Sequence, residues 1–503
     1  MNTVLGIDLG TQSLKVIAYD FERRSVAAQA SVPLDVDRGP GGRAEQDADA
    51  WLEALESALA GLDSGTRHSV RAIAVAGQQH GLVAMDASGS VLAPVKLWCD
   101  TSTQREVEEI TEACGGRSAC IALAGNPILT GYTAPKIRWL RKAHADVYRR
   151  MAHVLLPHDY LNYVLTGVIA MECGDASGTG MLDVRSRRWS EPILQAVDDR
   201  RDLSGCLPPL VAPDTPIGTL SGAAAKRFGL PGGVPVAPGG GDNMMAAIGT
   251  GNVSAGRLTM SLGTSGTLFA AADSPVIDDH GNVAAFCNST GGWLPLLCTL
   301  NCTSATEIMR RPLGIGIEAF DDAIERVRVG CDGVTVVPFF AGERTPDLPH
   351  ATAMISGLDA RNCSADHILR ATVEGVTFSL RFGLEELRRL GVEARDIALT
   401  GGGARSAAWR RVVADACGLP VSILERDEGA CFGAALQALW ILQRCEDESV
   451  DISDITAQHV AVDAQIEPDP GRADEYTHAY LAYRHAVATV AHSSFASHEE
   501  IEL

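Results

Sequence analysis

The sequence predicts an α/β protein made of two related domains. Three observations carry this expectation. The chain has 503 residues, more than a single hydrophobic core holds. Short apolar strands alternate with helical stretches along it. A strand, a Gly-Thr turn and a second strand open the chain, and the same unit recurs near its middle.

In order along the chain, Val4–Ile7 reads as an apolar strand, Leu9–Ser13 as a turn and Leu14–Tyr19 as the returning strand. Ala72–Ala76 reads as a buried strand. The unit repeats as Leu258–Leu262, the turn Gly263-Thr264-Ser265-Gly266, then Thr267–Ala271. This places one domain over residues 1–250 and a second over 251–503, joined near Gly249–Gly256. Ala365–Leu390 reads as a long helix with Ser364 as N-cap and Gly391 as its stop. Ile397–Leu399 is a further buried strand. A helix follows Ser406 and ends at Gly418. Arg472–His492 reads as a surface helix, and the tail from Ser493 as frayed.

Composition excludes several functions. Hydrophobic residues make up 46% of the chain and the net charge is -21. Such a surface repels nucleic acid and anionic membranes. It also repels polyphosphate, so a nucleotide site here needs local donors and a cation. No apolar run is long enough to span a bilayer, and MNTVLGIDLG lacks the layout of a secretory signal. Thirteen cysteines, without a CxxC pair, point to a reducing cytoplasm rather than a disulfide framework or zinc site. They are expected to pack as small hydrophobes.

Glycine-rich turns beside apolar strands present bare N–H groups to phosphates. The candidates are Gly10-Thr11-Gln12-Ser13, Gly239–Gly241, Gly263-Thr264-Ser265-Gly266 and Gly401-Gly402-Gly403. Any one of them alone reads equally as a plain turn. No Gly-Lys pair exists for a Walker loop, and the first strand feeds a hairpin instead of the helix of a dinucleotide fold.

Six segments in order resemble the FGGY carbohydrate kinases, within the actin, Hsp70 and sugar-kinase (ribonuclease H-like) superfamily. "GIDLGTQSLK" (Gly6–Lys15) and "SLGTSGT" (Ser261–Thr267) are similar to the family's two phosphate loops. "GYTAPKIRWL" (Gly131–Leu140) and "GERTP" (Gly342–Pro346) resemble its two signatures. "GGGDN" (Gly239–Asn243) resembles the catalytic-base segment and "TGGGARS" (Thr400–Ser406) the adenosine loop. Within the family, "AGQQHG" (Ala76–Gly81), "LLPHDYLNYVLTG" (Leu155–Gly167) and "GDASGTGMLDV" (Gly174–Val184) are most similar to the xylulose kinases. One departure is that many members read Trp-Asn-Asp-x-Arg where this chain has Trp98-Cys99-Asp100-Thr101-Ser102.

The resemblance implies two lobes with a cleft between them, a homodimer, ATP with Mg²⁺, and phosphorylation of a sugar hydroxyl, the 5-hydroxyl of D-xylulose for the nearest members. It implies Asp242 as general base, with the glycines before it admitting sugar and phosphate. The positive end of a helix over Met244–Ile248 would favour its ionised form. The bland alternative for Asp242 is a helix cap. Asp8 would organise Mg²⁺, or else close an Asx turn. Thr11, Gln12, Ser13, Gly263, Thr264 and Ser265 would hold phosphates, and Gly402, Gly403, Ala404 and Arg405 the adenosine. Gln79, His80 and Asn243 would contact sugar. Trp98 would stack on it or fill core, and Asp100 would bind a hydroxyl or cap a helix over Thr103–Ile110. Glu343 and Arg344 read as hinge pins, and His153 and His158 as unremarkable. The competing readings are a family kinase for another ketose, polyol or sugar acid, an actin- or Hsp70-like ATPase or sugar-binding module without turnover, and a degraded kinase that binds but does not react.

Overall fold

In the computed structural model, which describes residues 2–426 and 429–499, β1 (Thr3–Leu9) turns at Gly10 and returns as β2 (Ser13–Asp20). The pair is antiparallel, with Asp8 opposite Lys15. β3 (Ser25–Pro33) pairs with β2, and β4 (Val70–Gly77) runs parallel to β1 on its other side. The short strands β5 (Gly218–Thr219) and β6 (Pro235–Val236) extend the sheet in the order β5-β6-β4-β1-β2-β3. β7 (Gly240–Gly241) adds to β4 in parallel, Gly240 beside Ala76 and Gly241 beside Gly77. Val4, Leu5, Ile7 and Leu9 are all buried, as a strand covered on both faces requires.

The second unit repeats this plan. β8 (Gly256–Leu262) and β9 (Gly266–Ala270) form an antiparallel hairpin. Residues 296–299 of β10 (Trp293–Thr299) pair with β9. β11 (Ala394–Thr400) lies parallel to β8, as β4 does to β1. β12 (Val421–Leu424) and β13 (Val462–Ile466) complete the order β10-β9-β8-β11-β12-β13. Each expected strand is found; most extend one to three residues past the apolar run because the ladder continues there, while β9 is shifted, running Gly266–Ala270 where Thr267–Ala271 is expected.

The contacts divide the chain differently from a cut at 250/251. One unit holds Met1–Ser254, Ala271–Pro295 and Glu428–Val460, and the other Ala255–Ala270, Leu296–Asp427 and Ala461–Leu503. The returning segment includes the helix Gly429–Arg444, which packs on β1. A Cβ at Gly6 would stand 2.1 Å from the Cys431 carbonyl oxygen. The same helix crosses the helix Asp242–Gly249 at glycine-to-backbone contact, where a Cβ at Gly433 would lie 1.7 Å from the Met245 carbonyl.

The caps fall where local chemistry puts them. Ser364 accepts from the His367 N–H at the start of the helix Ala365–Arg389, and Gly391 takes φ +86° after it. Ser406 caps the helix Ala407–Cys417, which ends at left-handed Gly418. Two expectations change. The last helix runs Ala473–Glu499, and it is not simply a surface helix. Tyr476, Tyr480 and Tyr483 are buried against Phe378 of the long helix, with ring centroids 5.6–6.4 Å apart. The described part of the tail expected to be frayed continues that helix, and residues 500–503 lie outside the described residues. No described helix is long and apolar enough to cross a membrane.

Candidate active site

The three glycines before Asp242 serve the protein's own packing. Gly239 has φ +74°, and a Cβ there would stand 2.2 Å from the Val75 carbonyl. A Cβ at Gly240 would meet Ser289 Oγ at 2.3 Å, and one at Gly241 would meet Gln79 Cγ at 2.7 Å. Only glycine allows β7 to lie this close to β4 and the residues after it. The segment is also held from behind. Gln437 Oε1 accepts from Gly239 N at 2.9 Å, and Asn162 Nδ2 donates to the Pro238 carbonyl at 2.7 Å.

Asp242 is the first residue of its helix, with Gly241 as N-cap. It is therefore not the cap. Its Oδ1 accepts from the Asn243 backbone N at 2.8 Å and from Asn243 Nδ2 at 3.0 Å. The helix terminus does not keep this carboxyl at ordinary acidity. Burial, followed by the charge of Asp8, pushes it up to about 7 against the Asn243 donors. Desolvation and a like charge outweigh the dipole here. Asp8 sits in β1, next to last, beside Ala76 of β4.

Gln79 is buried, with Oε1 3.0 Å from Asn243 Nδ2 and Nε2 donating to Met244 Sδ at 3.3 Å. His80 takes φ +66°, a costly conformation for this residue. Its ring packs against Tyr132 and Phe286, centroids 5.0 and 5.9 Å away. Its carbonyl accepts from Thr133 Oγ1 at 3.1 Å and Lys136 Nζ at 2.7 Å. Lys136, fully buried, also donates to the Gly131 carbonyl at 2.7 Å, and burial pushes its ammonium down to about 7. The GYTAPKIRWL segment thus braces the His80 turn. Sequence reasoning missed Lys136, although a lysine at the core position of an apolar helical stretch was a visible signal.

His158 is a correction. It is not an unremarkable histidine. Its side chain is wholly buried at the start of the helix Pro157–Thr166, with Nδ1 2.8 Å from Asp175 Oδ2 and Nε2 3.0 Å from Asp159 Oδ1. Burial opposes its charge, but the two carboxylates overcome that and hold its pKa well above the usual histidine range. Asp159 is fixed by the Leu156 N–H at 3.0 Å. Glu172 accepts from Gly174 N and Asp175 N, and burial pushes it up to about 7. Asp175 adds to the negative potential at Asp242. This acidic cluster around one cation lies in the two segments Leu155–Gly167 and Gly174–Val184, where no motif rule singles out its members.

The remaining residues of this unit tie loop to loop. Trp98 Nε1 donates to Thr11 Oγ1 at 2.9 Å, and Thr11 Oγ1 donates to Gln78 Oε1 at 3.0 Å. Gln46 Nε2 donates to the Thr11 carbonyl at 2.8 Å. Gln12 is exposed and Ser13 half-buried, with the Ser13 carbonyl accepting from Gly10 N. Trp98 is partly exposed, so it is not core filling. Asp100 is neither cap nor open to ligand. The helix begins at Gln104 behind Thr103, and the fully buried Asp100 carboxylate is occupied by Ala44 N, Lys96 Nζ, and the N and Oγ of Ser102.

In the second unit, the loop Gly263-Thr264-Ser265 has its carbonyls turned inward. Gly263 O accepts from Thr303 N and Oγ1, and Thr264 O from Ser304 Oγ at 2.9 Å. Thr303 and Ser304 were not anticipated. Glu343 is buried and pins the loop, accepting from Leu300 N at 2.6 Å, Arg344 N at 2.8 Å and Asn301 Nδ2 at 3.1 Å. Gly402 and Arg405 are exposed, and a Cβ at Gly402 would meet nothing within 4 Å. Gly403 and Ala404 are buried, Gly403 against Leu262 and Trp409.

No cluster of three or more His, Cys, Asp or Glu among the described residues could hold a metal by itself. The pair Asp8 and Asp242 nevertheless suits a divalent ion carried on phosphates, since Mg²⁺ takes one or two carboxylates and keeps its other oxygens from nucleotide and water. The mutual repulsion of the two carboxylates is what such an ion relieves.

Residues 3–249 match the N-terminal domain of the FGGY family of carbohydrate kinases, and residues 258–442 its C-terminal domain. The chain belongs to the FGGY family of carbohydrate kinases. It is an ATP-dependent sugar kinase by that membership. It is 38% identical over 486 residues to a xylulose kinase of Haemophilus influenzae, covering 95% of this chain and 98% of that one. A xyloylose kinase from Brucella ovis superposes with a TM-score of 0.90 at 33% identity, over 98% of this chain and 100% of the other. A gluconate kinase from Lactobacillus acidophilus also gives 0.90, at 21% identity, over 98% and 99%. For this FGGY kinase the fold alone therefore does not choose the sugar.

Proposed function

We propose that the protein transfers the γ-phosphoryl group of ATP to the 5-hydroxyl of D-xylulose, giving D-xylulose 5-phosphate and ADP. The likeness to xylulose kinases over nearly the whole chain is the observation that carries this reading. In it Asp242 is the general base. The 5-hydroxyl oxygen attacks phosphorus, the bond to the ADP oxygen breaks, and the hydroxyl proton passes to the carboxylate. Transfer is loose and in line, so the proton leaves late and a weak base suffices. With its carboxyl raised to about 7, Asp242 is a better proton acceptor than an ordinary aspartate and is still mostly ionised at pH 8. Asp8 would hold Mg²⁺, which neutralises charge on the phosphates. His80 and the exposed part of Trp98 are the sugar-facing candidates. Thr11, Gln12 and Ser13, the 263–265 loop, Gly402 and Arg405 are the nucleotide candidates. We further propose a homodimer working in the cytoplasm.

The equal fit of a gluconate kinase supports one second reading, a family kinase for another ketose or sugar acid. The test is ADP formation from Mg-ATP with D-xylulose, D-ribulose, L-ribulose, glycerol and gluconate, beside Asp242→Ala. Turnover on D-xylulose that is lost in the variant is the expected result. Turnover on another sugar would replace the substrate, and no sugar-dependent turnover would overturn the proposal.

A further inference from the structure

We infer that Gln79 is a positioning residue for Asp242, acting through the Asn243 side chain, rather than a group that grips sugar. The inference rests on Asp242 being the base. Gln79 is only 5% exposed, and both ends of its amide point into protein. Its Nε2 donates to Met244 Sδ, and its Oε1 accepts from Asn243 Nδ2 at 3.0 Å. The second hydrogen of that Asn243 nitrogen goes to Asp242 Oδ1, also at 3.0 Å. An amide NH₂ between two acceptor oxygens has one stable orientation. Flipped, the Asn243 oxygen would face both of them. Gln79 therefore fixes the Asn243 amide, and the amide fixes Asp242.

The consequence for chemistry is directional. The hydrogen bonds from Asn243 both fall on Oδ1 of Asp242. That oxygen is committed, and Oδ2 is the one presented to an incoming hydroxyl. The arrangement joins the turn just after β4, two residues past Gly77, to the first turn of the Asp242 helix, so the carboxylate plane is set before substrate arrives. Gly241 completes the clamp. A side chain there would strike Gln79 at 2.7 Å.

The test uses the full chain, with D-xylulose or whichever panel sugar turns over, at saturating Mg-ATP. Gln79→Met keeps the length and the contact with Met244 but removes the acceptor oxygen. We expect kcat to fall about 10- to 100-fold, with the sugar KM moving less than about threefold. Asn243→Leu should give a similar fall. The double variant should lose no more than about twofold beyond the worse single one, because both remove the same contact. A KM rise of about tenfold or more with kcat retained, or losses that multiply in the double variant, would overturn the inference. Asn243→Leu carries the same kcat-against-KM reading if Gln79→Met fails to fold. Asp242→Ala separates the two claims. If it still turns sugar over, the base assignment falls and this role with it. If it is inactive while Gln79→Met changes KM alone, only the positioning role falls.

Discussion

The imidazole of His158 and the carboxylate of Asp175 meet at 2.8 Å where neither side chain reaches solvent. With Asp159 on the other ring nitrogen, the histidine is a buried cation between two anions. Removing one member of such a group leaves an uncompensated charge. His158→Leu should therefore lower stability by about 3–5 kcal/mol. The pH dependence has a definite sign. A histidine whose folded pKa is raised contributes its full stability below about pH 6.5. That contribution is lost as pH rises through the folded value. Urea unfolding should show a larger gap between wild type and variant at pH 6 than at pH 9. An equal gap would mean that the ring is neutral.

Asp242 shares the sign of the pH trend, but its removal should raise stability where the loss of His158 lowers it. Its carboxyl titrates near 7 in the fold and near 3.9 when unfolded. The folded state then holds the extra proton between those values, so its contribution to stability falls as pH rises from about 4 to 7 and stays low above. Asp242→Asn should be more stable than wild type at pH 8 by about 1–3 kcal/mol and inactive. Melting at pH 5 and pH 8 checks this, and a variant no more stable at pH 8 would contradict it. For the active enzyme, kcat should fall on the acid side of about pH 7.

Two glycine-to-alanine changes should separate packing from binding. Gly433→Ala puts a methyl 1.7 Å from the Met245 carbonyl, which the helix crossing cannot absorb without moving. A loss of about 2–4 kcal/mol is expected, read as a lower melting temperature. Gly402→Ala meets open space and should leave stability within about 0.5 kcal/mol. If the 402–405 turn holds adenosine, it should raise the ATP KM by several-fold without changing the sugar KM. An unchanged ATP KM would remove Gly402 from the nucleotide site.

Thr11→Val should couple two segments far apart in sequence. It keeps the size of the side chain but removes the hydroxyl that receives the Trp98 indole N–H and donates to Gln78. Loss of these bonds should raise the sugar KM as well as the ATP KM, by about three- to tenfold each. A change in the ATP constant alone would mean that the Trp98 link does not orient the sugar side.

Much of this was legible in the chain. The hairpin repeat, the caps at Ser364 and Ser406, and the stops at Gly391 and Gly418 follow from local chemistry, which sequence records directly. Family membership followed from ordered motifs. Other features were not legible, for a common reason. The packing roles of Gly239–Gly241, the enclosure of the Asp100 carboxylate and the hydrogen bond of Gln79 to Asn243 do not show in the sequence, where these residues read as loop glycines and loop polar groups. Their partners, Val75, Ser289, Lys96 and Asn243, are set by strand and helix approach, which spacing does not encode. His158 was passed over because a lone histidine is silent until Asp159 and Asp175 are placed around it. The acidity of Asp242 was misjudged by weighing the helix end without the Asp8 charge and the burial opposing it.

The helix Gly429–Arg444 gives the site a timing. Cys431 meets Gly6 across 425 positions of chain, and Gln437 holds the backbone of Gly239. The ribosome has released β1 and Asp242 long before it makes the helix that backs them. Until residue 444 is outside the exit tunnel, the nascent sheet has an uncovered apolar face and Asp242 has no fixed floor. A fragment cut at residue 250 would keep Asp8 and Asp242 but should behave as a sticky, unfinished intermediate. Competence for phosphoryl transfer arrives only near the end of synthesis.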